Sequence, residues 1–262
     1  MAVMHFAAYI SVGESVEQPE MYYRNNVAET IGLLNKVAQS GIEYFIYSSS
    51  AAIFGEPTNK ALTETHPQQP INPYGKSKLM VESILGDLEA AHGLKSGALR
   101  YFNVAGADPE GEVGEDHRPE THLIPLILQT ALGLRDEITV FGDDYPTKDG
   151  TCIRDYIHID DLAQAHLLAL ERLRQGKDSE AYNLGNGNGY SVNEVIEVAR
   201  RITRKSIPAF VGDRRDGDAA VLVSSSKKAI KELGWRPKYA DLDSIVETAW
   251  NWHRKHPYGF AG

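Results

Sequence analysis

The sequence has little cysteine, no long apolar run and no stretch rich in positive charge, and each of these absences excludes a class of protein. It has one cysteine, Cys152, which excludes an internal disulfide and has no partner at metal-ligand spacing. No apolar run approaches the ~18 residues that a membrane span requires. No stretch is rich in lysine and arginine, and the formal net charge is -9, so no nucleic-acid or membrane partner is expected.

The beginning of the sequence also lacks the features of an export signal. Residues 1–13, MAVMHFAAYISVG, have no positively charged region and no clear cleavage site. A single cysteine also suits a reducing compartment, so the sequence predicts a cytoplasmic protein. The 262 residues, 42% of them hydrophobic, are enough for one large α/β domain with a smaller lobe.

Strand and helix patterns alternate along the first hundred residues. The runs AVMHFAAY, IEYFIYSSSAAIFG and GALRYFNVAG are typical of buried strands. Apolar residues recur at helical spacing between them, as at Val27, Ile31 and Leu34. This order predicts an α/β fold with a Rossmann-like, doubly wound parallel sheet over residues 1–103. We expect residues 104–262 to form a smaller C-terminal α/β substrate lobe, with segments that return to the sheet.

The stretch NPYGKSK, residues 72–78, opens the second of these helices and carries the main chemical signal. Tyr74 and Lys78 are four residues apart, so they lie on one helix face. A cation within ~4–6 Å lowers the pKa of a tyrosine from its usual ~10. Such a tyrosine can act as a general base toward an alcohol, and Ser50 at the preceding strand end can orient that alcohol. The same spacing also occurs by chance on solvated helix faces.

Removal of a hydroxyl proton is productive when a hydride leaves the same carbon, which implies an oxidised nicotinamide. In this interpretation Lys78 both tunes Tyr74 and binds the nicotinamide ribose. Ser48 and Asn103 stand at strand ends, where ligands bind to open parallel sheets.

Many short stretches, in order along nearly the whole chain, resemble the UDP-glucose 4-epimerases of the extended short-chain dehydrogenase group. They are HFAA, VGESV, YYRNNV, SSSAAIFG, NPYGKSKLMVE, RYFNVAGA, GEDH, VFGDDYPTKDGTCIRDYIHIDDLA, YNLGNG, RRDGD and ELGW. The resemblance implies an NAD-dependent isomerase of galactose metabolism. It would oxidise C4 of a UDP-sugar transiently and return the hydride to the other face of the ring. Many relatives form homodimers, so a homodimer is expected as well.

The resemblance also assigns roles to individual residues, and it implies no metal. It makes Ser50, Tyr74 and Lys78 catalytic. It places Phe6, Ala7, Asn25, Ser48, Tyr74, Lys78 and Tyr101 at the cofactor. It places Ser50, Tyr74, Phe102, Asn103, His122, Leu123, Val140, Phe141, Arg154, Arg215, Asp218 and Leu222 at the substrate. Arg154 and Arg215 would hold the diphosphate, a task suited to guanidinium groups, and Asp218 would hold the uridine ribose.

The sequence departs from this family at its beginning. Family members open with a strand, a Gly-rich turn and a helix that hold the pyrophosphate. Here the first strand resembles the family's fourth, so we expect an N-terminally truncated sheet with two βαβ units preceding Met1. The later cluster of Gly185, Gly187 and Gly189 does not have GxGxxG spacing. Ser191 and Glu194 form a capping box after it, so we interpret this cluster as structural.

Three alternatives stay open from the sequence. The first is another NDP-sugar 4-epimerase, for N-acetylhexosamine, pentose or uronate substrates. The resemblance places Leu222 at a position where tyrosine is linked to exclusion of N-acetyl sugars, so the smaller leucine favours tolerance of them. A non-catalytic nucleotide-sugar-binding module is another, and an inactive fragment of the enzyme is the third. A dehydratase is disfavoured, because Ala51 and Ala52 stand where dehydratases place an Asp-Glu pair.

Overall fold

A computed structural model describes residues 1–57 and 61–261 of the chain. The α-helices are α1 (Val12–Glu17), α2 (Pro19–Tyr23), α3 (Thr30–Gln39), α4 (Pro73–His92), α5 (Leu123–Ala131), α6 (Ile159–Arg174), α7 (Val192–Thr203), α8 (Lys227–Leu233) and α9 (Leu242–Lys255). The strands are β1 (Ala2–His5), β2 (Tyr44–Ser48), β3 (Lys95–Tyr101), β4 (Asn103–Ala105), β5 (Ile138–Phe141), β6 (Ile153–His158), β7 (Glu180–Leu184), β8 (Gly189–Ser191), β9 (Ala209–Gly212) and β10 (Val221–Leu222).

The main sheet has the strand order β1-β2-β3-β7, and all of its pairs are parallel. Successive residues of β2 point to opposite faces, as the period of a strand requires. Phe45 and Tyr47 pack with α3 and α4 on one face. Ile46 packs with α6 and α8 on the other face. The predicted doubly wound, Rossmann-like parallel sheet is therefore confirmed, and β7 enters it from the second half of the chain.

The second half builds further layers around its own core. Strands β10, β6 and β4 form a parallel sheet, β8 joins β6 antiparallel, and β5 pairs with β9. The core of this region lies between these strands and helices α5, α7 and α9. Across residues 1–57 and 61–261, no helix has both the length and the apolarity to cross a bilayer.

The run GALRYFNVAG, which the sequence predicts as one strand, divides at Phe102. Its first part is β3 of the main sheet, and its last part is β4 of the second sheet. Phe102 donates its backbone N–H to the Leu184 carbonyl and buries its ring with Ala51, Ile53 and Phe54. A buried aromatic side chain thus fixes the point where the chain passes from one sheet to the other.

The segment between β1 and β2 is also less regular than one predicted helix. Pro19 begins α2 at a position where its missing N–H needs no partner. A π-helical turn, Arg24–Glu29, then connects α2 to α3. The buried Asn26 of this turn accepts from the Tyr9 backbone N–H and donates to the Tyr9 carbonyl. That amide fixes the loop after β1 against the helices.

The glycine cluster of residues 185–189 is structural, as the sequence predicts. The backbone N–H groups of Asn186 and Gly187 both donate to the buried carboxylate of Asp155. Ser191 caps α7, and the predicted capping box with Glu194 is present.

The start of α4 is held tightly against the segment that follows β2. Asn72 caps the helix by accepting the Gly75 N–H at 2.8 Å, and Pro73 occupies its first position. A Cβ atom on Gly75 would lie 2.4 Å from the Ala52 carbonyl oxygen. Only glycine permits this approach, which sets the distance between Tyr74 and Ser50.

We expect Gly75→Ala to lower the free energy of unfolding by about 1–3 kcal/mol, because the new methyl group meets backbone that cannot move freely. Gly86 in the same helix is the matched control, since a Cβ there meets nothing within 4 Å. Gly86→Ala is expected to raise stability by about 0.5–1 kcal/mol through helix propensity. Chemical denaturation of both variants measures the difference. Equal effects would contradict the close-packing account.

Candidate active site

A cavity of about 630 Å³ lies at the carboxyl ends of the main-sheet strands. Both halves of the chain line it, from Phe6 and Ser50 in the first half to Arg154 and Arg215 in the second. Ligands of open parallel sheets bind in this position. The cavity is therefore the natural place for the chemistry that the sequence predicts.

Ser50, Tyr74 and Lys78 all line one region of this cavity. Ser50 follows β2 and caps a 3-10 turn, with its hydroxyl accepting the Ala52 N–H. Lys78 is only 3% exposed, and its Nζ donates to the Ser48 carbonyl at 2.7 Å. That Nζ lies 5.8 Å from the centroid of the Tyr74 ring. The predicted grouping of these three side chains is present.

The expected lowering of the Tyr74 pKa by the neighbouring lysine is wrong. Burial raises the pKa of Tyr74 above its usual value, and the hydrogen bond from Ser50 offsets only part of this. Burial also lowers the pKa of Lys78, to about 8, against the attraction of the Glu82 carboxylate. The sequence could not indicate this outcome, because it depends on how completely the folded protein removes both groups from water.

The surroundings of Lys78 fit the nicotinamide-ribose half of a dinucleotide. An ammonium group has three donors, and within the described chain the Ser48 carbonyl takes one of them. The remaining N–H groups are free for ribose hydroxyls. Phe6 and Tyr101 line the same cavity, and their ring centroids lie 4.8 and 6.3 Å from that of His166. An aromatic wall beside a partly unpaired buried cation suits a flat, charged ring with an attached sugar.

Arginine and acidic side chains form a second group in the cavity lining. Arg154 pairs with Asp218 at 3.6 Å, and Arg215 donates to the same carboxylate at 3.2 Å. The Arg215 guanidinium also lies over the Phe141 ring, 4.5 Å from its centroid. The sequence alone would equally allow these residues to form surface salt bridges. Their position on the cavity wall instead gives two guanidinium groups that can turn toward a diphosphate.

Five further predicted substrate residues also line the cavity: Phe102, Asn103, His122, Leu123 and Leu222. Burial alone would lower the pKa of His122. Hydrogen bonds to the carboxylates of Glu115 and Glu120 outweigh this effect and raise that pKa to about 10. The side chain is therefore an imidazolium at neutral pH, a suitable donor to a phosphate.

The structure does not bring four of the predicted contact residues to the cavity lining. They are Ala7, Asn25, Ser48 and Val140. Val140 points into the core of the second half, with 2% of its surface exposed. Asn25 donates to the Asn26 side chain, and Ser48 offers its backbone carbonyl to Lys78.

Several lining residues escaped the sequence analysis, among them Glu115, His117 and Tyr156. Glu115 and His117 belong to the GEDH stretch, which was noted only as part of a resemblance. Cys152, interpreted as a buried thiol, is 6% exposed and also lines the cavity.

A serine, tyrosine and lysine set beyond a parallel sheet defines a site for proton and hydride transfer at an alcohol. Comparison with known proteins gives the same class. The sequence model of the NAD dependent epimerase/dehydratase family matches residues 1–185. The chain therefore belongs to the NAD dependent epimerase/dehydratase family.

Individual relatives are similar over nearly the whole chain. A UDP-glucose 4-epimerase of Halalkalibacterium halodurans is 54% identical over 259 residues, which are 99% of this chain and 78% of the relative. The structure of the Bifidobacterium longum UDP-glucose 4-epimerase with NAD⁺ and UDP is 41% identical. It has a TM-score of 0.94 and is matched over 99% of this chain and 78% of that one. The UDP-Glc/GlcNAc 4-epimerase of Campylobacter jejuni is 45% identical, with a TM-score of 0.80, over 97% and 77% of the two chains.

The lowered pKa of Lys78 predicts how stability depends on pH. The folded pKa of about 8 lies below the unfolded value of ~10.4, so between these pH values the unfolded state binds more protons. Stability therefore rises with pH across this window. We expect the free energy of unfolding of the wild type, relative to Lys78→Met, to increase by about 2–3 kcal/mol from pH 7 to pH 10.

Denaturant titrations of both proteins at several pH values make this measurement. Lys76→Met, at an exposed position of the same helix, controls for the loss of a lysine. If the free energy of unfolding of the wild type, relative to Lys78→Met, stayed constant or fell with pH, burial of a charged Lys78 would be contradicted.

Proposed function

We propose that the protein is a UDP-glucose 4-epimerase, which interconverts UDP-glucose and UDP-galactose and thereby serves galactose metabolism. The observation that carries the proposal is one cavity with the Ser50, Tyr74 and Lys78 set in one region and two guanidinium groups in another. One cavity lined by both groups suits a nucleotide diphosphate sugar, which carries an alcohol and a charged diphosphate in the same molecule. The relatives described above carry the same activity in their names.

The cofactor of this reaction is NAD, which when bound supplies a hydride acceptor that later gives the hydride back. Lys78 would hold its ribose through the N–H groups that Ser48 leaves free. Phe6 and Tyr101 would flank the nicotinamide.

Tyr74 moves the proton in this mechanism. Its phenolate oxygen would accept the proton of the 4-hydroxyl group when C4 is oxidised, and the same phenol would return it when C4 is reduced. Ser50, which hydrogen-bonds to Tyr74, would hold the sugar oxygen in line. Because burial raises the Tyr74 pKa and the Ser50 hydrogen bond offsets only part of this, the deprotonated form would need positive charge beside it, which the Lys78 ammonium and the oxidised nicotinamide would supply together.

The other residues would position the nucleotide. Arg154, Arg215 and the His122 imidazolium would bind the diphosphate, with charge-assisted hydrogen bonds. Asp218 would accept from the uridine ribose hydroxyls, and Phe141 would pack against uracil. Loss of water on substrate binding would strengthen each of these contacts.

We further propose a division of labour, an assembly and a location for the chain. Residues 1–103 would serve the cofactor, and residues 104–262 would mainly serve the nucleotide sugar. Helices α3 and α4 expose Ile31 and Met80, 39% and 44% of their surfaces, which supports pairing of two chains through these helices. A cytoplasmic location would fit the single, unpaired cysteine.

Tyr74→Phe is expected to lower kcat for UDP-galactose by about 10²–10⁴-fold, the usual contribution of a general acid–base group. Tyr258→Phe is the matched control, since that ring is 67% exposed and lies outside the cavity lining. NMR follows the conversion with NAD added, and the NAD content of each denatured protein is measured in parallel. Equal NAD content with unchanged kcat in Tyr74→Phe would refute the role of this hydroxyl.

We propose N-acetylated UDP-hexosamines as additional substrates, because Leu222 on the cavity wall is smaller than tyrosine. The similarity to the Campylobacter jejuni UDP-Glc/GlcNAc enzyme supports this range. Leu222→Tyr is expected to slow epimerisation of UDP-N-acetylgalactosamine by at least about tenfold, a steric cost of some 1.4 kcal/mol. Its rate with UDP-galactose is the internal control and should change little. If Leu222→Tyr changed the rates with UDP-N-acetylgalactosamine and UDP-galactose by the same factor relative to the wild type, this proposal would be contradicted.

A further inference from the structure

Two histidines and two glutamates converge at the rim of the cavity, in the segment of residues 115–122. Glu115, His117, Glu120 and His122 each offer one ligand atom, and these four atoms all lie within 4.8 Å of one another. The proposed epimerase chemistry uses none of them except His122. The sequence analysis expected no metal, because it considered cysteine spacing and the family resemblance rather than this segment.

The separations match the size of a tetrahedral metal site. His122 Nδ1 lies 2.5 Å from Glu115 Oε1 and 3.1 Å from Glu120 Oε1. His117 Nδ1 lies 3.1 Å from Glu115 Oε1 and 3.8 Å from Glu120 Oε2. Metal–ligand bonds of 2.0–2.2 Å in a tetrahedron place ligand atoms ~3.3–3.5 Å apart. The four separations, which involve one oxygen of Glu115 and both oxygens of Glu120, lie on either side of this value, so rotations of the side chains would bring one atom of each residue onto an ion.

Glu120 is the fixed member of the cluster. Its side chain is 5% exposed, and its Oε1 accepts the backbone N–H groups of Thr121 and His122 at 2.7 and 2.8 Å. Within the described chain, Oε2 receives no hydrogen bond, since His117 Nδ1 is 3.8 Å away. Hydrogen bonds from surrounding groups usually orient the side chains that ligate a metal. Glu120 has this arrangement, because the backbone N–H groups hold one oxygen and leave the other directed at an imidazole.

The segment is also held firmly by α9. Trp252 donates its indole N–H to the Glu115 carbonyl at 3.3 Å. A Cβ atom on Gly114 would lie 2.2 Å from the Trp252 ring, so glycine is needed for this contact. Packing on a rigid helix reduces the ordering that binding would otherwise require.

The ligand types select the kind of metal. Magnesium and calcium prefer sites made of oxygen atoms, whereas two imidazoles with two carboxylates suit zinc and similar first-row ions. A divalent cation bound at Nδ1 of His122 would take the place of the proton that this side chain shares with Glu115 and Glu120, and it would balance the two carboxylate charges in that proton's stead.

We propose that Glu115, His117, Glu120 and His122 form a binding site for a zinc-like divalent ion at the rim of the cavity. This proposal does not depend on the epimerase activity. A bound ion would tie the segment of residues 115–122 together beside the nucleotide-sugar site.

Calorimetric titration with zinc chloride tests the site, on the full chain freed of metal by a chelator and without nucleotide. We expect one zinc per chain in the wild type. His117→Ala and Glu120→Gln should each weaken binding by at least about tenfold, since even outer-shell changes cost about 10–100-fold. His92→Gln, an exposed histidine at the end of α4, should bind zinc like the wild type.

Cobalt gives a second readout of geometry. A tetrahedral site predicts intense visible absorption bands in the wild type, and their loss in His117→Ala. Because His117 is exposed, this variant should keep its fold, which circular dichroism verifies. No stoichiometric zinc binding, or equal zinc affinity in the wild type, His117→Ala and Glu120→Gln, would overturn the proposal and leave only adventitious metal.

Discussion

A buried lysine bound to the end of a strand organises this molecule. The 2.7 Å hydrogen bond from Lys78 Nζ to the Ser48 carbonyl ties α4 to the carboxyl end of β2. Burial disfavours the charged ammonium, as its lowered pKa shows, so this residue costs stability at neutral pH. Groups with such perturbed pKa values in a cavity are typical of functional sites. The helix, the strand end and the cavity wall all depend on where this side chain lies.

The two halves of the chain meet at the site because the chain changes sheets there. Phe102 lies between β3 and β4, while β7 returns from the second half to the main sheet. The cavity therefore has a wall from each half. A reaction that needs both a redox cofactor and a nucleotide sugar fits this arrangement, since each wall can bind one of them.

Helix periodicity and capping rules, which need only neighbouring residues, correctly predicted part of the structure. The spacing of Tyr74 and Lys78 places both on the cavity side of α4, and the capping box at Ser191 is present. The predicted direction of the Tyr74 pKa shift was wrong, because burial in the folded protein raises that pKa and the spacing of residues does not reveal burial. The break at Phe102 and the pairing of His122 with Glu115 also require the folded chain. The folded chain, rather than the spacing of residues, decided each of these outcomes.

The most direct test follows the hydrogen at C4 of the sugar. UDP-galactose with deuterium at C4 would be incubated with the protein and NAD, and the UDP-glucose product analysed by NMR and mass spectrometry. The account predicts that deuterium stays at C4 of the product, because the hydrogen leaves and returns without exchange with water. Product that has lost its deuterium to the solvent would contradict the account, since inversion would then proceed by removal of a carbon-bound proton.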